Sequence, residues 1–153
     1  MFKIFTPACL LLAGLCGLLT GCGDTSKPAV VPATGNVTFK KTKPAGGALI
    51  VFHPTDPALE KQMGGKPFAT VQEDGTFKLT SYAEGDGAPE GEYGVTVQWN
   101  AKPKDGKMSL SSEGGGASGP SMINQAKYGN PAQPFQKVTV KKGDKNEFNF
   151  DVD

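Results

Sequence analysis

Residues 92–99, with the sequence EYGVTVQW, show the clearest alternation in the chain. Large side chains stand at every second position, namely at Tyr93, Val95, Val97 and Trp99. Successive side chains of a β-strand point to opposite faces, so this period of two predicts a strand with one buried face. Because the pattern is so regular, we place this strand at the centre of a sheet.

Six further runs repeat the pattern, separated by segments rich in glycine, proline and aspartate that favour turns. The chain is predicted to fold as an all-β domain, a seven-stranded Greek-key sandwich. The seven predicted strands are residues 35–39, 48–53, 68–72, 76–81, 92–99, 136–140 and 147–152.

Two tight turns and one helical turn are predicted between these strands. Glu73-Asp74-Gly75 is a hairpin signal, because Asp and Gly tolerate the positive φ that such turns require. Residues 141–144 are predicted to form a second hairpin, and residues 57–62 a single helical turn. The strand 48–53 is apolar on both faces, so its outer face is either covered by a loop or contributes to a partner surface.

Residues 100–121 interrupt this pattern with five glycines and five serines. They contain too few large apolar side chains to offset the entropy that ordering would cost. We therefore expect a mobile insertion here.

The amino terminus has the organisation of an export signal. Lys3 is followed by an apolar run of sixteen residues, 4–19, and then by Thr20 and Gly21. Since a helix that spans a bilayer needs about twenty apolar residues, a permanent transmembrane anchor is the poorer interpretation. We expect residues 1–21 to be a cleaved signal peptide.

Leu19-Thr20-Gly21-Cys22 resembles the lipobox of bacterial lipoproteins. The resemblance implies cleavage before Cys22, a diacylglycerol on its thiol, and acylation of the new amine by a fatty acid such as palmitate. Each buried methylene contributes about 0.8 kcal/mol of membrane affinity, so two or three chains form a stable anchor. We expect an exported protein, anchored to a membrane at the periplasmic face or the cell surface of a bacterium, with residues 22–33 as a tether. The alternative is an ordinary secreted protein with a chance cysteine at this place.

Composition excludes several classes of partner. Without Lys3, fifteen of the sixteen basic residues remain, against fifteen Asp and Glu. A nearly neutral domain has no electrostatic attraction for nucleic acid. Arginine, the usual clamp for phosphate, is absent from the sequence.

Within residues 34–153 the chain contains the motifs GNVTF at 35–39, Lys43-Pro44, residues 48–54, EDGTF at 73–77, GDGAPEGEYGVTV at 85–97, and Ala126-Lys127-Tyr128. These motifs are similar to those of small lipoproteins of planctomycete-type bacteria that carry a carboxypeptidase-regulatory-like, or transthyretin-like, domain. The resemblance implies a prealbumin-like or immunoglobulin-like accessory sandwich in the cell envelope, without an established activity. This chain departs from the usual pattern at His53 and in the length of its insertion.

The candidate site residues are few. His53 is the single histidine, which excludes multi-histidine metal sites, and we expect it to be half exposed. Glu84, Asp86 and Glu90 lie on a glycine-containing loop and are weak candidates for calcium ligands, although the same residues are equally explained as turn formers. We predict no catalytic residue, no cofactor and no other metal site.

The aromatic residues offer weak indications of sugar binding. Trp99 ends an inward series, so core packing is expected rather than stacking on a sugar. Tyr82 and Tyr128 adjoin loops and are candidates to line a shallow groove.

Three functions follow from these features. The first is a non-enzymatic binding or scaffolding module for an envelope protein or a glycan. The second is an accessory or carbohydrate-active subunit of an envelope hydrolase, which requires Tyr82 and the acidic loop to converge in a cleft. The third is an envelope spacer without a specific ligand.

Overall fold

The structure is a computed structural model that describes residues 27–101 and 119–153. The expected signal peptide, residues 22–26 of the expected tether with Cys22, and residues 102–118 of the insertion lie outside the described residues. Within the described ranges, no helix is long and apolar enough to cross a membrane.

The described chain is mostly β, as predicted, with ten strands and two short helices in its two ranges. Each of the seven predicted runs contains a strand. Three further strands of two residues each are too short to produce a recognisable alternation. The strands are β1 (Val30–Val31), β2 (Ala33–Phe39), β3 (Lys43–Pro44), β4 (Leu49–Pro54), β5 (Phe68–Thr70), β6 (Thr76–Lys78), β7 (Ala88–Pro89), β8 (Gly91–Gln98), β9 (Gln136–Val140) and β10 (Asn146–Val152), and the helices are α1 (Pro57–Met63) and α2 (Gln125–Tyr128).

Two four-stranded sheets contain most of these strands. The first is antiparallel with the order β5-β4-β8-β9, so the regular strand β8 does lie between two neighbours. In the second, β2 pairs on one side with β10 and on the other with both β3 and β6. The pairing of β2 with β10 is parallel and continues over the full length of both strands.

The two sheets pack face to face around one core. The buried ring of Phe52, on β4, lies 6.5 Å from the ring of Phe77 on β6 and 6.2 Å from that of Phe150 on β10. Trp99 is half-buried, packs edge-on against Phe39 at 5.5 Å and donates its indole N–H to the carbonyl of Gly46. The molecule is therefore an all-β sandwich, and Trp99 belongs to its packing.

The hairpin predicted at residues 141–144 was wrong. β9 pairs with β8 in one sheet and β10 pairs with β2 in the other, so this turn carries the chain between sheets. Asn146, a buried polar residue, stabilises the crossing: its Oδ1 accepts from the N–H of Lys141 at 2.9 Å, and its Nδ2 donates to the carbonyl of Lys141 at 3.0 Å. These side-chain bonds replace the ladder bonds that a hairpin would have made.

The outer face of β8 is less exposed than its alternation suggests. Thr96, predicted to point outward, is only 2% exposed. A Cβ added to Gly94 would lie 2.8 Å from the side chain of Pro134, which shows how closely the segment before β9 covers this strand. On β4 the outer side chains of Leu49 and Val51 are half-buried.

The folded region begins before residue 34, the boundary predicted from the sequence. β1 pairs with β7 through Val30 and Val31, and Ala33 is buried in the core. A Cβ on Gly87 would overlap the carbonyl oxygen of Val31, so these two segments lie in direct backbone contact. The last four residues of the expected tether therefore belong to the fold, because their backbone is already paired.

The two ends of the insertion lie side by side. Asn100 bridges Ser121, and the N–H of Ala101 donates to the carbonyl of Pro120 at 2.9 Å. The insertion thus begins and ends at the same place, beyond the carboxyl end of β8.

Candidate binding groove at the corner of the sandwich

A hairpin forms the corner where one sheet passes into the other. Its turn is the one predicted at residues 73–75: the N–H of Gly75 donates to the carbonyl of Gln72 at 2.9 Å, and Gly75 has a φ of 89°. One arm of the hairpin, β5, pairs with β4, and the other arm, β6, pairs with β2. The hairpin therefore joins the edges of two different sheets.

The two arms separate in the middle of this hairpin. Phe68 and Thr80 exchange backbone hydrogen bonds of 3.0 and 2.8 Å, and Gln72 donates to Thr76 at 2.8 Å. Between these two rungs, Thr70 and Lys78 form no β-bridge with each other. The ladder is interrupted for one rung.

The register explains which groups face this gap. Pro67 and Val71 use their backbone groups to bond β4, so the backbone groups of Thr70, between them, point away from β4 and toward β6. In the same way Leu79 bonds β2, which directs the backbone groups of Lys78 toward β5. Because each arm follows its own sheet, the arms diverge and both sets of groups face the gap.

A groove of about 520 Å³ opens over this gap. One of its walls is Phe68, which lies beside Val51 on the outer face of the sheet and is 46% exposed. Polar side chains from both arms and from the following loop complete it, namely Thr70, Gln72, Lys78, Thr80 and Glu84.

Most of these polar side chains make no polar contact that stabilises the fold within residues 27–101 and 119–153. Thr70, Gln72, Lys78 and Glu84 form no side-chain hydrogen bond or ion pair with another residue in these ranges. The hydroxyl of Thr80 accepts from the N–H of Gly85 at 2.9 Å and keeps its own proton to donate. The groove thus presents hydroxyl, amide, ammonium and carboxylate groups that are free to bind a ligand.

The three calcium candidates do not assemble. Asp86 accepts hydrogen bonds from the N–H groups of Ser81, Tyr82 and Ala83, at 2.7, 3.0 and 3.0 Å. Burial alone would raise its pKa, but these backbone donors hold the pKa of Asp86 below the usual aspartate value. Asp86 therefore closes the loop that it belongs to, as the turn-forming interpretation expects.

The other two candidates lie apart. Glu84 lines the groove, whereas Glu90 lies next to β7 and the amino-terminal segment. Among the residues that the structure describes, no three His, Cys, Asp or Glu side chains are grouped to hold a metal ion.

His53 is half-buried on the outer face of β4, in line with its expected exposure. Its Nε2 lies 2.8 Å from the hydroxyl of Thr96. Burial and then the nearby charge of Lys66 lower the pKa of His53, while Glu60, which forms a 2.7 Å ion pair with Lys66, opposes this. The arrangement favours a neutral imidazole that links two neighbouring strands.

The two tyrosines do not line a groove together. Tyr128 is buried, its hydroxyl hydrogen-bonds Asp153, and its ring packs against Phe135 at 5.3 Å, so it was wrongly expected to face a groove. The ring of Tyr82 lies under the ammonium of Lys27 at 5.0 Å. Tyr82 bonds Asp86 through its backbone N–H and not through its side chain. The two residues therefore form a turn, and their side chains do not converge in a cleft.

Phe68 was not among the residues that the sequence singled out. A signal was available, because Phe68, Thr70 and Gln72 share one face of their strand while Ala69 and Val71 share the buried one. A large aromatic residue on the otherwise polar face of a strand is the kind of position at which binding residues occur.

No protein-family model, no curated protein and no solved structure matches this chain.

Proposed function

We propose that this protein is an exported bacterial lipoprotein that is anchored to a membrane through lipid on Cys22. Its β-sandwich is a non-catalytic binding module. The observation that carries the proposal is the corner groove, where an exposed phenylalanine stands among polar side chains without structural partners in the described chain. Such a combination of one apolar surface and a few convergent polar groups is typical of ligand sites.

The placement of the amino-terminal segment supports the anchored arrangement. The pairing of β1 with β7 fixes this segment at one end of the sandwich. Four residues separate Cys22 from Lys27, and the five residue-to-residue steps between them span at most about 18 Å in an extended chain. A lipid on Cys22 would therefore hold this end of the domain close to the headgroups.

The hydrogen bonds of the polar residues support a binding role over a hydrolytic one. The only histidine of the sequence is bonded to Thr96, and the carboxylate of Asp86 is occupied by three backbone donors. Neither group is free to act as a general base, which needs a partner proton on a substrate within hydrogen-bonding reach.

We also infer that the seven longer strands form a Greek-key sandwich of the prealbumin-like kind, as in carboxypeptidase-regulatory-like domains. Two places where the chain crosses between the sheets, at the hairpin around residues 73–75 and at residues 141–144, support this topology.

The anchor is tested with the Cys22→Ala variant. We expect the unaltered protein to incorporate radiolabelled palmitate and to partition into the detergent phase, and the variant to do neither. Cys16→Ala is the matched control, because Cys16 lies in the expected signal peptide and its loss should leave labelling unchanged. If the wild-type protein incorporates no palmitate, or if wild type and Cys22→Ala partition equally into detergent, the lipid anchor is contradicted.

The binding role is tested by photo-cross-linking in intact cells. With a photo-reactive residue in place of Thr70, which lines the groove and is exposed, we expect one dominant adduct. The control position is Asn149, exposed on β10 in the other sheet, where we expect at most weak and scattered adducts. Equally scattered adducts from both positions would favour an envelope spacer over a binding module.

A further inference from the structure

We propose that the corner groove binds an uncharged glycan, with one face of a sugar ring on Phe68 and its hydroxyl groups bonded to the polar side chains around it. This inference rests on the proposed binding function and names the ligand class of the same groove.

The aromatic wall fits the apolar face of a sugar. A pyranose ring carries C–H groups on its faces and hydroxyl groups around its edge, so it needs a flat apolar surface next to polar groups. In residues 27–101 and 119–153, the exposed large hydrophobic side chains are Phe68 and Met122, at 46% and 47% exposure. Phe68 alone of the two is aromatic, and it stands on a paired strand that fixes its backbone.

The polar groups fit the edge of a sugar. A hydroxyl both donates and accepts, and it bonds best to groups that do the same. Thr70, Gln72 and Thr80 supply such groups from both arms of the hairpin. The interrupted rung adds the backbone groups of Thr70 and Lys78, which face the gap and form no β-bridge with each other.

The charge of the groove favours a neutral glycan. Its charged side chains are one lysine, Lys78, and one glutamate, Glu84, so their formal charges cancel. A polyanionic chain would normally be held by several cations, most effectively by arginine, which this sequence lacks.

An extended peptide fits the same place less well. Peptides that add to a sheet bond along a free strand edge, with several consecutive rungs available. Here the rungs on both sides of the gap, at Phe68 and at Gln72, are already made, so the gap is no longer than a single rung. A sugar ring can bond to the backbone groups of a single rung, whereas an added strand needs several consecutive rungs.

The test is affinity electrophoresis of the full lipidated chain in detergent, in gels that contain a soluble polymer. The uncharged probes are a β-1,4-glucan, a β-1,3-glucan, a β-1,4-mannan and oligomers of N-acetylglucosamine, and polygalacturonate is the charged probe. We expect at least one uncharged probe to retard the protein, and Phe68→Ala to weaken that binding at least tenfold. Phe68→Trp should retain binding, and its indole should change fluorescence as the probe is added.

Met122→Ala is the matched control, because it removes a side chain of equal exposure from another part of the surface. We expect it to bind like the unaltered protein. Unchanged melting temperatures of both alanine variants would show that a loss of binding in Phe68→Ala is local.

Two results would overturn the glycan assignment: no retardation by any uncharged probe, or equal retardation of Phe68→Ala and wild type. If a photo-reactive residue in place of Thr70 still gives one dominant protein adduct in cells, the binding function stands and only the glycan assignment falls. If that adduct is absent as well, both fall.

Discussion

Gly35→Ala is expected to prevent folding or to lower the free energy of unfolding by more than about 3 kcal/mol. Gly35 lies on β2, between the backbone of β10 and the ring of Phe77. A Cβ at this position would overlap the carbonyl oxygen of Phe148, and it would lie 2.7 Å from the carbonyl carbon and 2.8 Å from Cε1 of Phe77. The strand cannot shift to relieve this overlap without breaking its parallel pairing.

Thermal and urea denaturation followed by circular dichroism measure this effect. Gly65→Ala is the control, because a Cβ at Gly65 would meet no atom within 4 Å. We expect that variant to stay within about 0.5 kcal/mol of wild type. A Gly35→Ala protein as stable as Gly65→Ala would show that β2 and β10 do not pack as closely as described.

Phe52→Ala is expected to lower the free energy of unfolding by about 3–5 kcal/mol, the usual cost of removing a fully buried aromatic ring. The ring of Phe52 has four aromatic neighbours, Phe77, Tyr93, Phe148 and Phe150, with centroids 5.6 to 6.5 Å away. Three of these neighbours lie on the opposite sheet, so the variant loses contacts that join the two layers.

The same denaturation measurements apply, with Phe68→Ala as the matched control. It removes an identical side chain, but one that is 46% exposed, and we expect it to cost less than about 1 kcal/mol. Equal destabilisation by the two substitutions would mean that Phe52 does not occupy the centre of the core.

The strands were predictable from the sequence because their signal is local. Along β8, Tyr93, Val95 and Val97 alternate with smaller residues, and all three are fully buried. The turn at residues 73–75 was predictable for the same reason, since the conformational freedom of Gly75 is a property of that one residue.

Strand pairing was not predictable because it depends on residues far apart in the chain. The turn at 141–144 has hairpin chemistry, yet β10 pairs with β2, more than a hundred residues earlier. No local pattern distinguishes a hairpin from a crossing between sheets. The buried amide of Asn146 stabilises the crossing only when the chain has already brought the backbone groups of Lys141 next to it.

The groove was harder still to predict, because an interruption between two strands creates it. Thr70 and Lys78 look like ordinary polar strand residues, and only the divergence of the two sheets leaves them without a β-bridge to each other. The sequence also left the role of the acidic loop undecided. Asp86 belongs to a pattern that suits a cation or a turn, and its three backbone donors show that it forms the turn.

The parallel pairing of β2 and β10 also determines how the domain responds to force. A pull on the amino-terminal segment is first resisted by the pairing of β1 with β7. Once that short pairing opens, the force runs along β2, while the rest of the domain holds β10 in place. Tension then acts along the two strands, so the seven residue pairs from Asn146 with Ala33 to Val152 with Phe39 must slide together and cannot open one after another. A domain tethered at this end would be loaded in shear, the direction in which a ladder of hydrogen bonds shares stress among all its rungs.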